Sequence, residues 1–511
     1  MPSYRFLIDE VEEGASGPKI AAFFDMDRTL IYGFSAQDLI VEQIATGELS
    51  VSGVVGQASQ AIQFARGKID FAEMVNSTAK HLRGQVDSKN YEFGRRVFEK
   101  RVASRIYPEA RLLIDAHLKK GHVVVIVSAA TPYQVEPVAN DLGVHSFLCT
   151  HLEVKNGICT GKVLEPACYG EGKSIAVRNF VADRDVDLAE SYFYTDGNED
   201  LPLLEIVGKP RPLNPDKKLT SIAKSRDWHI TRFEGRGRTT AKDVARTGLA
   251  YLSAAPAAAA ALSAYSLNGS ARQARNIFQG LWGEMSSAAI GMELDVEGQE
   301  NLWSHRPAVF MANHQSAVDA IAVLKLVQSD FTAIAKKEIQ SQPLIGQVSE
   351  AMGTIFVDRS DNKSAREALQ PAVTALKGGT SIIIFPEGTR SPTNKLSKFK
   401  KGGFHLAMQA GVPIVPIVLK NTTDAMPKGT IMARPATVHV TVLPPVETKD
   451  WEVEDLDANI DMLRNQFLLE LDQGGGSAPS DVIRLAQSGN KPKKSSDGQG
   501  GRGSKSKKTK G

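Results

Sequence analysis

Apolar residues run along this chain in short unbroken blocks that end in polar clusters. The first is KIAAFFDMDRTLIY (19–32), whose polar positions gather at its C-terminal end. GHVVVIVSAAT (121–131) and ESYFYTDGNED (190–200) repeat the arrangement. Helical periodicity fills the intervals, most clearly in YPEARLLIDAHLKK, and dominates from residue 34 to about 105. Continuous apolar blocks are what strands covered on both faces look like, and strands separated by helices predict a parallel α/β sheet. Chemistry in such a sheet gathers where the strands end, at their C-terminal edge.

The pattern then changes. From Thr247 to Ala271 there are 25 consecutive uncharged residues, flanked by Arg246 and Arg272. That length could span a bilayer, but the content is mostly Ala and Ser, with one Pro. The next stretch, ARNIFQGLWGEMSSA, places Ile277, Leu281 and Met285 on one helical face with Phe278 and Trp282 beside them. The pair predicts a two-helix element lying in, or dipping into, a membrane interface; the alternative is a buried Ala-rich core helix. From about 293 a second α/β pattern begins, with PAVFMANH, TIFVDRS, TSIIIFPEGTRS and GVPIVPIVL as short apolar strands.

The expected architecture is therefore α/β throughout. It comprises an N-terminal Rossmann-like parallel-sheet domain over 18–225 with a helical cap at about 34–105, a membrane-associating helical segment over 240–292, a C-terminal α/β domain over 293–472, and a tail over 473–511. Composition changes the picture only at that tail. The chain of 511 residues is 42% hydrophobic and 23% charged, with a formal net charge of +3. Its last 21 residues carry eight Lys or Arg and one Asp, which exceeds that total and leaves a mildly acidic body. The tail is too polar to fold, and is expected to solubilise the chain or tether it to anionic lipid. No nucleic-acid partner is expected. Three cysteines without a CxxC pair, and no secretory signal at the start, argue for a reducing cytosol and against a disulfide framework or a zinc site.

Candidate chemistry sits on the strand ends. In the first half, FFDMDRTL supplies Asp25, Asp27 and Thr29, VIVSAAT supplies Ser128, GEGKS supplies Lys173, and FYTDGNED supplies Asp196 and Asp200. A carboxylate can attack phosphorus. A second one two residues on lies on the same side of an extended strand and can protonate a leaving group. Hydroxyl and ammonium donors can hold phosphoryl oxygens, and further acids can complete a hard-oxygen Mg²⁺ site. This order resembles the haloacid dehalogenase-type phosphatases, in particular the branch containing phosphoserine phosphatase. The resemblance implies Asp25 as nucleophile, Asp27 as acid and base, Ser128 and Lys173 on phosphate, and Mg²⁺ on Asp25, the Asp27 carbonyl and Asp196, with Asp200 in support. Arg28 is bulky, at a position where relatives can carry a small residue.

In the second half, VFMANHQSAVD (309–319) places His314 and Asp319 just after a strand, followed by GTIFVDR (353–359), FPEGTRS (385–391) and VPIVPI (412–417). This order resembles the glycerolipid acyltransferases, in particular 1-acylglycerol-3-phosphate acyltransferase. A glycerol hydroxyl is a poor nucleophile near neutral pH, and a neutral imidazole can take its proton as it attacks a thioester. Asp319 can fix the tautomer of His314 and stabilise the imidazolium. No acyl-enzyme is needed, which implies direct transfer rather than ping-pong kinetics. Arg359 and Arg390 can each offer a bidentate fork to the acceptor phosphate, with Lys336 a further candidate. Glu387 is expected to anchor its loop or touch the acceptor, Gly388 to let backbone approach the ligand, and Lys400 with Lys401 to add positive field or be solvated surface. The implied partners are a lysophospholipid, acyl-CoA or an acyl carrier protein as donor, and a membrane surface with anionic lipid. Acyl-CoA is cytosolic, so both sites are expected at the cytoplasmic face of the cell membrane.

Overall fold

Each apolar block of the first half becomes a buried parallel strand, and the register brings their polar ends level. The computed structural model describes residues 4–47, 71–144, 146–233, 239–342, 345–357, 369–391, 393, 395–426, 430–471 and 483–484. The N-terminal strands are β1 (Ala21–Phe24), β2 (Val123–Ser128), β3 (Ser146–Cys149), β6 (Tyr192–Thr195) and β7 (Lys209–Pro212). A separate antiparallel hairpin is formed by β4 (Leu152–Lys155) and β5 (Ile158–Val163). Phe24 pairs with Ile126 on one side and Tyr194 on the other, so Asp25, Ser128 and Asp196 all emerge at one edge. Apolar clusters cover both faces of this sheet, one built on Phe24, Ile126 and Tyr194, the other on Phe23, Val125 and Phe193. That two-sided burial explains why the strands read as unbroken apolar runs.

Helices Ser35–Ala45, Phe71–His81 and Asp87–Val97 follow β1 as a cap. The hairpin joins them through Gly84 N to Cys159 O and Cys159 N to Gln85 O, each 2.9 Å. Part of the expected cap, 48–70, lies outside the described residues. Cys149, Cys159 and Cys168 are free and buried.

The C-terminal sheet contains β8 (Met292–Glu297), β9 (Val309–Ala312), β10 (Phe331–Lys336), β11 (Ile355–Val357), β12 (Ser381–Ile384), β13 (Ile414–Lys420) and β14 (Ala436–Val442). Its order is β11-β10-β12-β9-β13-β14-β8. Pairing is parallel except between β13 and β14. β9 is central, so the segment that leaves it enters a fully supported edge.

The linking region forms the expected pair of helices. Ala241–Leu252 and Ala254–Asn268 run on through Ser253 as one apolar stretch, and Gly269, in the left-handed region, turns the chain into Ala271–Ile290. Ala241–Asn268 is 28 residues long and apolar enough to cross a membrane. The last helix packs on the C-terminal domain through Phe278, Gln279, Gly283, Ser286 and Ile290. Leu281 and Met285 are exposed, on the face expected to meet the membrane interface. A Cβ on Gly283 would lie 2.8 Å from the Leu324 carbonyl carbon, so close approach of two helices selects small residues over large apolar ones. One part of the tail expected to be unstructured differs: β15 (Ile483–Arg484) pairs in parallel with Ser146 and Phe147 of β3.

Two candidate active sites

β9 ends at Ala312, and the loop from Asn313 to Val318 turns back before the helix Asp319–Val327 begins. Asn313 pins the turn to β13, donating from Nδ2 to Leu419 O (2.8 Å) and accepting from Leu419 N (2.7 Å). His314 Nδ1 lies 2.7 Å from Asp319 Oδ2. The same oxygen accepts from Gln315 N (2.7 Å) and Ser316 N (2.8 Å), and Asp319 is 0% exposed. Three donors on one buried oxygen fix a carboxylate that can only accept, so His314 Nδ1 carries the hydrogen and Nε2 is left as the base. The Phe385 ring stacks on the imidazole at 4.1 Å between centroids.

The loop after β12 is tied to this turn. Glu387 Oε1 accepts from His314 N at 2.6 Å and Oε2 from Ser397 N at 2.9 Å. Ser391 N donates to His314 O at 2.8 Å. Glu387 is buried, and burial pushes its carboxyl above the usual range, against the pull of those hydrogen bonds. Gly388, at φ 76°, takes the turn a side chain would resist. Arg390 follows, half-buried, in the same loop.

Other expected cations fall less centrally. Lys336 is exposed at the end of β10, with β12 between it and β9, hence about 10 Å from the histidine's strand. Lys401 is paired with Asp457 at 2.7 Å and reads as surface, and Lys400 is exposed. Arg359 lies outside the described residues. The roles of Asn313 and Phe385 were missed in the sequence; the polar residue preceding the histidine at a strand end was the available signal.

The N-terminal edge is more densely charged. Lys173 Nζ donates to Asp25 Oδ1 (2.6 Å) and Asp200 Oδ2 (2.7 Å), all three being buried. Thr195 Oγ1 also donates to Asp200 Oδ2, at 2.5 Å. Asp27 accepts from Ser35 N (2.6 Å) and Ser35 Oγ (3.1 Å) at the start of the cap, where Gln134 Nε2 holds that hydroxyl at 2.8 Å. Ser128 is buried at the end of β2, its Oγ accepting from Ala130 N. Thr29 Oγ1 reaches Asp196 Oδ1 at 3.5 Å, and Arg28 Nε lies 2.9 Å from Asp196 Oδ2. The engagement of Asp27 by Ser35 and of Asp196 by Arg28 was not foreseen.

Burial raises the Asp25 carboxyl to about 7, with Asp200 adding to the rise and Lys173 opposing it. Burial likewise lifts Asp27 to about 6, against the Ser35 hydrogen bonds, and Asp196 to about 8, helped by the charge of Asp25. Burial alone would lower the Lys173 ammonium, but Asp200 and Asp25 carry it upward. Among the described residues no three His, Cys, Asp or Glu side chains close on one point as a ready metal cage. Lys173 and Arg28 occupy the carboxylates instead. The donor set nevertheless suits a hard cation: Asp200 Oδ1 and Asp196 Oδ2 are buried without hydrogen-bond partners, and acids this crowded favour added positive charge.

The class these two edges define is an acyltransferase fused to a phosphatase. The acyltransferase family profile matches residues 293–420 and that of the haloacid dehalogenase-like hydrolases matches 22–205. The chain is 35% identical to the 1-acyl-sn-glycerol-3-phosphate acyltransferase of Limnanthes alba, over 38% of this chain and 69% of that protein. It is 34% identical to the enzyme of that name from Saccharomyces cerevisiae, over 37% of this chain and 63% of the yeast protein. The chain belongs to the 1-acyl-sn-glycerol-3-phosphate acyltransferase family, with a haloacid dehalogenase-like hydrolase domain ahead of it. Similar solved structures include the Thermotoga maritima 1-acyl-sn-glycerophosphate acyltransferase (26% identity, TM-score 0.38, covering 45% of this chain and 97% of that one). A phospho-aspartyl intermediate analogue of phosphoserine phosphatase is a second (18% identity, TM-score 0.33, covering 43% and 95%).

Proposed function

We propose that the C-terminal site moves an acyl group from acyl-CoA, or from an acyl carrier protein, to the free hydroxyl of 1-acylglycerol 3-phosphate, giving phosphatidate. The observation that carries this reading is the 2.7 Å contact between His314 Nδ1 and the wholly buried Asp319. His314 Nε2 takes the hydroxyl proton as the oxygen attacks the thioester carbonyl. The C–S bond then breaks, and the imidazolium returns its proton to the departing thiolate. Asp319 holds the imidazole and stabilises its charged form. Glu387 positions His314 through the main chain, and Arg390, with Arg359 and Lys336, supplies charge for the acceptor phosphate. Direct transfer predicts intersecting double-reciprocal plots in a two-substrate kinetic experiment; parallel lines and burst release of CoA without acceptor would contradict it.

In the N-terminal half, Asp25 attacks the phosphorus of a phosphomonoester, Asp27 protonates the leaving oxygen, and water later releases phosphate from Asp25. A carboxyl raised to about 6 is suited to carrying that proton, once Ser35 yields one of its two hydrogen bonds. Ser128 and Lys173 hold phosphoryl oxygens. Asp25, Asp196 and the Asp27 carbonyl would hold Mg²⁺, with Asp200 behind them, and the ion would neutralise charge on the phosphoryl group. Asp25→Asn is expected to abolish Mg²⁺-dependent phosphate release from p-nitrophenyl phosphate while acyl transfer continues. Undiminished release would exclude Asp25 as nucleophile.

Residues 18–225, 240–292 and 293–472 are read as the working units. The exposed Leu252, Leu262 and Leu267 of the middle unit suit insertion into the cytoplasmic membrane interface, where both lipid substrate and product reside. The basic tail would add attraction to anionic lipid.

A further inference from the structure

Charge at the N-terminal edge is carried by two basic side chains that are held very differently. Lys173 is buried, with two short and well-directed hydrogen bonds. Arg28 is 38% exposed. Its Nε lies 2.9 Å from Asp196 Oδ2, yet that oxygen has no hydrogen-bond partner, so the two charges are close but misaligned. The guanidinium carbon also lies 5.7 Å from the centroid of the Phe34 ring, which is exposed at the mouth of the site.

The backbone beneath this side chain is fixed. Arg28 sits at φ 63°, a region that non-glycine residues seldom adopt. It is held there by Arg28 N donating to Gly33 O and by Asn214 Nδ2 donating to Arg28 O, both 3.0 Å. Unusual backbone kept in place by its surroundings is a pointer to function. Here its effect is to aim a long, partly exposed cation toward Asp196 from a fixed backbone.

We propose that Arg28 is an exchangeable counter-ion of the phosphatase centre. It neutralises Asp196 until a divalent cation takes that carboxylate, and it then turns out to the mouth beside Phe34, where it meets an oxyanion of the incoming phosphomonoester. The proposal rests on the metal reading given above. It assigns Arg28 two stations. Asp196 cannot serve guanidinium and metal ion fully at once, and an arginine fork released beside a phosphate site is suited to phosphate oxygens. Two consequences follow: Arg28 weakens metal binding and strengthens substrate binding.

The test is Mn²⁺ binding to the full chain in detergent micelles, read from the electron paramagnetic resonance of free Mn²⁺, for wild type, Arg28→Gln, Arg28→Lys and Asp196→Asn. Removing a competing charged contact is expected to tighten Mn²⁺ binding about tenfold or more in Arg28→Gln, with Arg28→Lys intermediate and Asp196→Asn much weaker than wild type. In the same preparations, KM for p-nitrophenyl phosphate at saturating Mg²⁺ should rise in Arg28→Gln with kcat changed far less. Arg28→Asn, whose residue type tolerates the left-handed region, supplies the same comparison should glutamine disturb folding. Unchanged or weaker Mn²⁺ binding in the Arg28 variants, with wild-type binding still dependent on Asp196, overturns the exchange and leaves the metal reading standing. Wild-type protein that binds no Mn²⁺, or binds it regardless of Asp196, overturns both.

Discussion

At the scale of single residues, the proposed acyltransferase site turns on one oxygen. Asp319 Oδ2 accepts from the imidazole and from two main-chain N–H groups. Asp319→Asn can keep an amide oxygen on the three donors, but it removes the charge that stabilises the imidazolium and leaves a buried NH₂ where Oδ1 has no partner. A loss of about 10²–10⁴ in kcat is expected, with KM little altered; a variant retaining most of its kcat would remove Asp319 from the mechanism. A second buried network ends on Tyr194 of β6, whose main-chain oxygen accepts from Asp25 N at 2.9 Å. His122 Nε2 lies 2.9 Å from Ala15 O, which only accepts. His122 Nδ1 therefore receives the hydrogen of His117 Nδ1 across 2.8 Å, and His117 Nε2 accepts from Tyr194 Oη at 2.9 Å. Both rings are neutral in this chain, and burial, then the neighbouring His122, pushes His117 well below its ordinary value. The unfolded chain takes up a proton near pH 6.5 that the folded chain refuses, so this contribution to stability is complete above about pH 6.5 and is lost as pH falls below it. Thermal melts between pH 8 and pH 5 should show the midpoint falling in the acid arm, with a shallower fall for His117→Gln; identical slopes would contradict the assignment.

At the scale of elements, legibility followed unbroken apolar runs ending in a recognisable motif; the interior strands β3 and β10 were not read, whereas the edge strand β11 was. β1, β2, β6, β9, β12 and β13 are interior strands, and their apolar runs ending in Asp25, Ser128, Thr195 or Asn313 could be read without a structure. β8 and β14 were not read. They lie together at one end of the C-terminal sheet, and alternation of buried with exposed residues leaves Glu293, Asp295 and His439 among their apolar positions. β7 was missed because it is an edge strand carrying Pro210 and Pro212. In the candidate sites, spacing along the chain identified His314, Asp319, Asp25 and Lys173. It gave no sign that Ser35 would hold Asp27 or that Glu387 would hold His314, since those contacts depend on where loops cross. The helix Ala271–Ile290 teaches the same lesson: periodicity found the helix and its apolar outer face, but gave no sign that Gly283 would meet the Leu324 main chain. Gly283→Leu is expected to destabilise the C-terminal half by about 1–3 kcal/mol through overpacking against Leu324, measured by urea unfolding of the full chain. Leu281→Ala, on the exposed side, should cost a small fraction of that. Equal costs would show that the helix does not pack as described.

At the scale of the whole molecule, one parallel and one mixed sheet present their chemistry at strand ends, and a long apolar helix lies between them in the chain. The halves touch where Lys395 Nζ donates to Asn140 O, in the loop that also carries Glu387 and Arg390. Each site is built from residues of its own sheet and its own loops, so the two activities should be separable by single substitutions. The central claim is that the C-terminal edge performs acyl transfer through His314. The most direct test incubates purified full-length protein in lipid micelles with Mg²⁺, oleoyl-CoA and radiolabelled lysophosphatidate, and resolves the lipid products of wild type, His314→Ala and Asp25→Asn. Wild type and Asp25→Asn should both form phosphatidate, and His314→Ala should form less by about 10³-fold or more. Phosphatidate formation by His314→Ala at the wild-type rate would contradict the account.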